Sequence, residues 1–300
     1  MTMFGRATKS VTGFLVTGIL VTGGLIVGQL FGASHTEARK IGPGPWMLVY
    51  TDKVPVRILL KYDTIILDSR YHPPLRPLIE AGKTVIGYIS IGEVEKFRPH
   101  FKAVEKEGIL LQWNKNWPNS RYVDVRDPRW TKRVIEELIP QLLQKGFRGI
   151  MMDTLDNPAD LERQDPKKYR GMTAAAARLV RTIRRHYPDL IIMMNRAYEI
   201  LPRVERHIDI VLGESVYADY DFAKKTYKLV KREDYLRQVK WLQAAKKRTP
   251  KLRVFTLDYW SPKDRKGIAQ IYKAQRANGF EPYVSTIKLN RVFQRPEEWR

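Results

Sequence analysis

The 300-residue sequence contains no cysteine. That absence excludes disulfides, thiolate nucleophiles and the thiolate-rich structural zinc sites. Histidine is also scarce: His35, His72, His100, His186 and His207 are the five present, and none stands at ligand spacing from another, so no metal is expected. No G-x-G-x-x-G fingerprint follows an early apolar run, which removes the usual signal of a dinucleotide-binding open sheet, and no organic cofactor is expected. Negative charge is in deficit, with 32 Asp and Glu against 54 Lys and Arg, a net charge of +22. Such an imbalance bears on partners rather than on fold. The basic residues are spread along helical patterns, such as Arg178, Arg181, Arg184 and Arg185, or Lys246, Lys247 and Arg248. Solvated helix surface accounts for them, with attraction to anionic lipid or cell-wall polymer as the other reading. No zinc-finger, basic-zipper or RNP-type motif accompanies them, so no nucleic-acid partner is expected.

One long hydrophobic run is present. Arg6 and Lys9 precede an uncharged stretch from Val11 to Gly32, about long enough to cross a bilayer as a helix. Positive residues on its N-terminal side would hold that end in the cytoplasm and send the rest across. Small residues after Phe31 offer a cleavage point, so a cleaved signal and a retained anchor both stay open. Residues 1–40 are read as a signal peptide or membrane anchor with a short linker, and residues 41–300 as one domain, secreted or held at the outer face of the cytoplasmic membrane. Nothing in the sequence specifies an oligomeric state.

Hydrophobic residues make up 43% of the chain, enough for a sizeable core. After a Gly-Pro-Gly-Pro turn at Gly42 to Pro45, a single theme repeats: a short, mostly unbroken apolar run, then a helical pattern. The runs are Trp46 to Tyr50, Asp63 to Asp68, Thr84 to Ser90, Phe147 to Asp153, Leu190 to Asn195, Ile208 to Glu214, Leu252 to Asp258 and Glu281 to Thr286. Continuous apolar character suits strands covered on both faces, as in a parallel sheet. Between them, Asp127 and Pro128 open a helix that Gly146 ends, with Pro140 predicting a kink. Thr173 opens a second helix, and Ser261 with Pro262 opens a third that Gly279 closes. Eight strands alternating with helices in about 250 residues predict a (β/α)8 TIM barrel.

In such a barrel the working groups collect at the C-terminal ends of the strands. Those ends offer Tyr50, Asp68, Tyr88, Glu93, Asp153, Asp156, Asn195, Arg196, Glu214, Tyr217, Asp258, Tyr259 and Trp260. Carboxylates flanked by tyrosine and tryptophan suit a carbohydrate, whose hydroxyls take hydrogen bonds while its apolar face stacks on a ring. Two carboxyl groups in different environments can act as acid and nucleophile across a glycosidic bond. Bland alternatives stand beside these. Asp156 and Asp258 could serve as local caps, and Asp153 and Glu214 could form structural ion pairs with Arg196. Trp130 fits a helix core stripe, whereas Trp113 and Trp117 lie in an irregular, Asn-rich segment suited to a binding lip.

The segments GFRGIMMDTLD (Gly146 to Asp156), MNRAYEILP (Met194 to Pro202), IDIVLGESVYADYDF (Ile208 to Phe222), VFTLDYWSP (Val254 to Pro262) and PYVST (Pro282 to Thr286) resemble glycoside hydrolase family 114. YISIGEVE (Tyr88 to Glu95) and YVDVRDPRW (Tyr122 to Trp130) extend the resemblance to nearly everything after residue 44. It implies an endo-α-1,4-polygalactosaminidase-like enzyme on a TIM barrel, acting on a polysaccharide partner, with Asp153 and Glu214 as the catalytic pair. Asp153 would be nucleophile or anion stabiliser and Glu214 general acid and base. Arg148 departs from the family's usual aspartate, at the N-terminal end of a strand and away from the expected mouth. A non-catalytic polysaccharide-binding protein, and a divalent-metal hydrolase with Asp153, Asp156, Glu214 and Asp258 as oxygen ligands, are the alternatives.

Overall fold

The computed structural model describes residues 41–299. The expected leader lies outside the described residues. Among those described, no helix is long and apolar enough to cross a membrane.

Each predicted apolar run forms a strand. These are β1 (Trp46–Val49), β2 (Thr64–Leu67), β3 (Thr84–Ser90), β4 (Gly149–Asp153), β5 (Ile191–Asn195), β6 (Ile210–Glu214), β7 (Arg253–Tyr259) and β8 (Glu281–Ser285). They pair side by side in sequence order, all parallel. Residues 46–49, 64–67 and 191–195 are buried throughout, as double-sided cover requires. At the seam between β1 and β8 the Trp46 indole donates to the Glu281 carbonyl at 2.9 Å, and the Tyr50 amide donates to the Leu289 carbonyl at 2.7 Å. Side-chain and loop contacts, not a strand ladder, thus bring the eight-stranded sheet to the near-closure of a (β/α)8 barrel.

The helical segments follow their signals with instructive shifts. Asp127 caps the helix that begins at Pro128 by accepting from the Arg129 amide, and Gly146 ends it at φ 101°. Pro140 does not simply kink this helix. Because Pro140 cannot donate, the turn before it widens into a π-helix over Val134–Leu138, and the Ile139 amide reaches back to the Val134 carbonyl. Thr173 is not a cap: the helix starts at Met172, and the Glu162 carboxylate accepts from the Gly171 and Thr173 amides. Likewise Asp264, not Ser261, caps the helix Arg265–Ala277, which Gly279 follows at φ 78°.

Two excursions on the C-terminal side were not legible as strands. Glu93–Glu95, Leu110–Trp113 and Ser120–Val123 form a small antiparallel sheet between β3 and β4. Ala218–Asp221 and Thr226–Leu229 form a hairpin between β6 and β7. Arg148 is exposed at the opposite end, where its backbone joins the start of β4 to β3 and β5.

Candidate active site

Three neighbouring staves, β4, β5 and β6, end in Asp153, Asn195 and Glu214. The Asn195 side chain is buried between the two carboxylates, and its Nδ2 donates to Asp153 Oδ1 at 2.9 Å and to Glu214 Oε2 at 2.8 Å. Two oxygens bonded to one nitrogen can lie no farther apart than about 5.7 Å, those two bonds end to end. From β7, the Tyr259 hydroxyl donates to Glu214 Oε1. Neither carboxylate forms an ion pair with Arg196, whose guanidinium instead lies 3.5 Å from Asp156.

The loop after β4 is built to hold Asp153. Thr154 adopts φ 64°, its amide donates to Asp153 Oδ1, and its hydroxyl accepts from the Gly92 amide at 2.8 Å. A Cβ at Gly92 would stand 2.0 Å from the Thr154 carbonyl oxygen, so only glycine permits this approach. Behind it, fully buried Trp130 donates its indole N–H to the Ile91 carbonyl at 3.0 Å.

Electrostatics act on Glu214. Burial, then the charge of Asp153, pushes Glu214 up to about 7, against the pull of the Tyr259 and Asn195 donors. Asp156 rises to about 6 through burial, opposed by Arg196. Burial also raises the Tyr50, Tyr88 and Tyr259 hydroxyls well above their ordinary value, which keeps them neutral donors. Arg98 is largely buried, yet Glu95 and Asp68 hold its guanidinium charged, and it lies over the Tyr88 ring.

These residues line a cleft with two arms meeting at Asp153, Glu214, Glu93 and Tyr259. One arm, about 360 Å³, continues past Tyr50, Tyr88, Phe97 and Leu289, and Asp68 is on its wall. The other, about 480 Å³, is walled by Asp156, Asp160, Asn195, Arg196 and Asp219. Trp117 borders both arms at 55% exposure and meets Phe222 edge-on at 5.8 Å.

Four expected site residues stand elsewhere. Asp258 is fully buried. Its Oδ1 accepts from the amides of Val216, Tyr217 and Ala218, and its Oδ2 from Gln275 at 2.6 Å, so it anchors the loop after β6. Tyr217 turns away to Tyr235 and accepts from Gln270, and Trp260 donates to Asp264. Trp113, proposed as a lip, packs on Phe101 beneath Arg121, away from both arms. Conversely, sequence reasoning missed Arg98, Asn114, Asn157 and Thr154. Only the Asn-rich character of the segment holding Asn114 hinted at any of them.

Known proteins share this architecture. A model of glycoside-hydrolase family GH114 matches residues 34–299. The glycoside hydrolase domain of PelA from Pseudomonas aeruginosa superposes with TM-score 0.73 and 26% identity, covering 84% of this chain and 98% of that one. Ega3 of Aspergillus fumigatus, solved in complex with galactosamine, superposes with TM-score 0.61 over 85% of this chain and 96% of that one; at 16% identity it shows the fold alone. An uncharacterized protein of Methanocaldococcus jannaschii is 32% identical over 88 residues, and one of Thermotoga maritima 22% over 143. Those matches cover 27% and 44% of this chain, and only 24% and 43% of the relatives' own lengths. With the family model spanning the whole barrel, the chain belongs to glycoside-hydrolase family GH114.

Proposed function

We propose that the protein cleaves glycosidic bonds within an amino-sugar polysaccharide outside the cytoplasm, with Asp153 as nucleophile and Glu214 as general acid and base. The observation that carries this reading is the Asn195 bridge, which holds together two carboxylates without making either an ion pair. Glu214 at about 7 keeps a proton to give at neutral pH. Asp153 attacks the anomeric carbon while Glu214 protonates the departing oxygen; water then replaces Asp153 as Glu214 takes its proton. Two carboxylates close enough to share one amide nitrogen suit this double displacement. Retaining pairs stand roughly 5 to 5.5 Å apart, whereas inverting pairs need roughly 6.5 Å or more to admit a water.

Two arms meeting at the pair suit cleavage inside a chain, with sugars bound on both sides. Asp156, Asp160 and Asp219 on one arm suit a sugar carrying an amine, in line with the galactosamine bound to Ega3. The overall charge of +22 does not oppose this, because exposed charges beyond about 10 Å are screened at physiological salt. Export rests on the hydrophobic run from Val11 to Gly32. The metal-cage alternative loses Asp258, whose two oxygens already accept four hydrogen bonds.

The test is incubation with acetylated and deacetylated amino-sugar exopolysaccharides, followed by product mass analysis with and without chelator. New reducing ends that persist with chelator support the reading. Saturable binding without them assigns a polysaccharide-binding protein instead.

A further inference from the structure

Glu93 is a third carboxylate at the meeting point of the two arms, and the double displacement does not use it. It is only 4% exposed, with no cation at ion-pair distance among the described residues. Its two oxygens are not equivalent. Oε1 accepts from Asn114 Nδ2 at 2.6 Å and from Asn157 Nδ2 at 2.5 Å. Oε2 accepts no hydrogen bond among the described residues, yet is not sealed away, and the side chain lines both arms. A desolvated carboxylate without a cation is costly unless a ligand completes it.

We propose that Glu93 is the specificity-determining residue that reads the substrate nitrogen, its Oε2 receiving the ammonium of a deacetylated amino sugar bound beside Asp153. This rests on the amino-sugar reading above. The paired asparagines fix which oxygen is on offer: both present N–H groups, so only an acceptor can occupy the Oε1 position. They also dictate the effect of an isosteric change. In Glu93→Gln the amide oxygen must face Asn114 and Asn157, which places the NH2 group where Oε2 was. That group repels an ammonium and donates to an acetamide carbonyl.

The experiment measures equilibrium binding of fully deacetylated and fully N-acetylated galactosamine oligomers to the full-length chain carrying Glu214→Gln, with and without Glu93→Gln. The parent should prefer the ammonium oligomer. Glu93→Gln should shift the affinity ratio toward the acetylated oligomer by about 10- to 100-fold, the size expected for losing one hydrogen bond to a charged group. Glu93→Asp, which keeps the charge but withdraws the oxygen, should weaken ammonium binding without reversing the preference. An unchanged ratio in a folded Glu93→Gln protein, or a parent that binds neither oligomer, overturns the proposal. Hydrolysis by the unsubstituted chain is scored separately: a ratio that shifts as expected with no reducing ends released removes the hydrolase reading and leaves Glu93 in its role.

Discussion

At the N-terminal end of the barrel, Asp209 meets Arg184 at 2.6 Å, Glu281 meets Arg253 at 2.8 Å and Asp63 meets Lys83 at 3.3 Å. At the C-terminal end of the same sheet, Asp153 and Glu214 meet an amide and a phenol. Stave β6 carries both arrangements, with Asp209 just before its first residue and Glu214 as its last. Acids paired with cations tie segments together and sit at their lowest free energy in the resting fold. Acids held by neutral donors keep a reactive charge state, at some cost to stability.

That contrast can be broken by substitution, and the largest effects belong at the mouth. Asp153→Asn and Glu214→Gln should each lower turnover by about 10³-fold or more in a reducing-end assay. Glu214→Gln should nevertheless melt at or above the parental temperature at pH 7. The sign follows from the raised value: the folded state favours protonated Glu214, so the group weakens the fold as pH climbs from the ordinary glutamate range through about 7. A lower melting temperature would place Glu214 with the structural pairs. At the other end, Asp209→Asn takes the carboxylate from a largely buried Arg184, which keeps its backbone carbonyl acceptors, and should cost about 3 kcal/mol in denaturant unfolding, with normal turnover per folded molecule.

Smaller effects sharpen the same contrast. Tyr259→Phe removes a donor that favours ionised Glu214, so Glu214 should titrate higher and the alkaline limb of the rate profile should move to higher pH. A downward move would contradict the assigned general acid. Trp117→Ala should raise KM for polymer about tenfold with little change in kcat, because a half-exposed ring bordering both arms contributes binding rather than chemistry. Arg76→Ala breaks an exposed pair with Glu80 outside the cleft lining, and unfolding should change by less than about 0.5 kcal/mol.

The staves were legible because a strand covered on both faces must be apolar throughout, a demand each segment meets alone. Asp153, Asn195 and Glu214 were legible as candidates because a polar side chain closing such a run is costly unless paired or used, and the resemblance to family 114 singled out the two acids among them. Asp258 ends its stave in the same way, yet it serves the loop after β6. The sequence cannot distinguish an acid facing the cleft from one turned under a neighbouring loop. Asn114 and Asn157 were illegible for a related reason: they act on Glu93 from 21 and 64 residues away.

The sequence by itself determined the number and order of the staves, the absence of thiol chemistry and which polar residues close the staves, since each is a property of a short segment. Only the tertiary structure decided which of those groups meet. Partner, burial and charge state are set by side chains brought together from different staves, and the same aspartate can be an anchor or a reactive group according to whether amides or open cleft surround it.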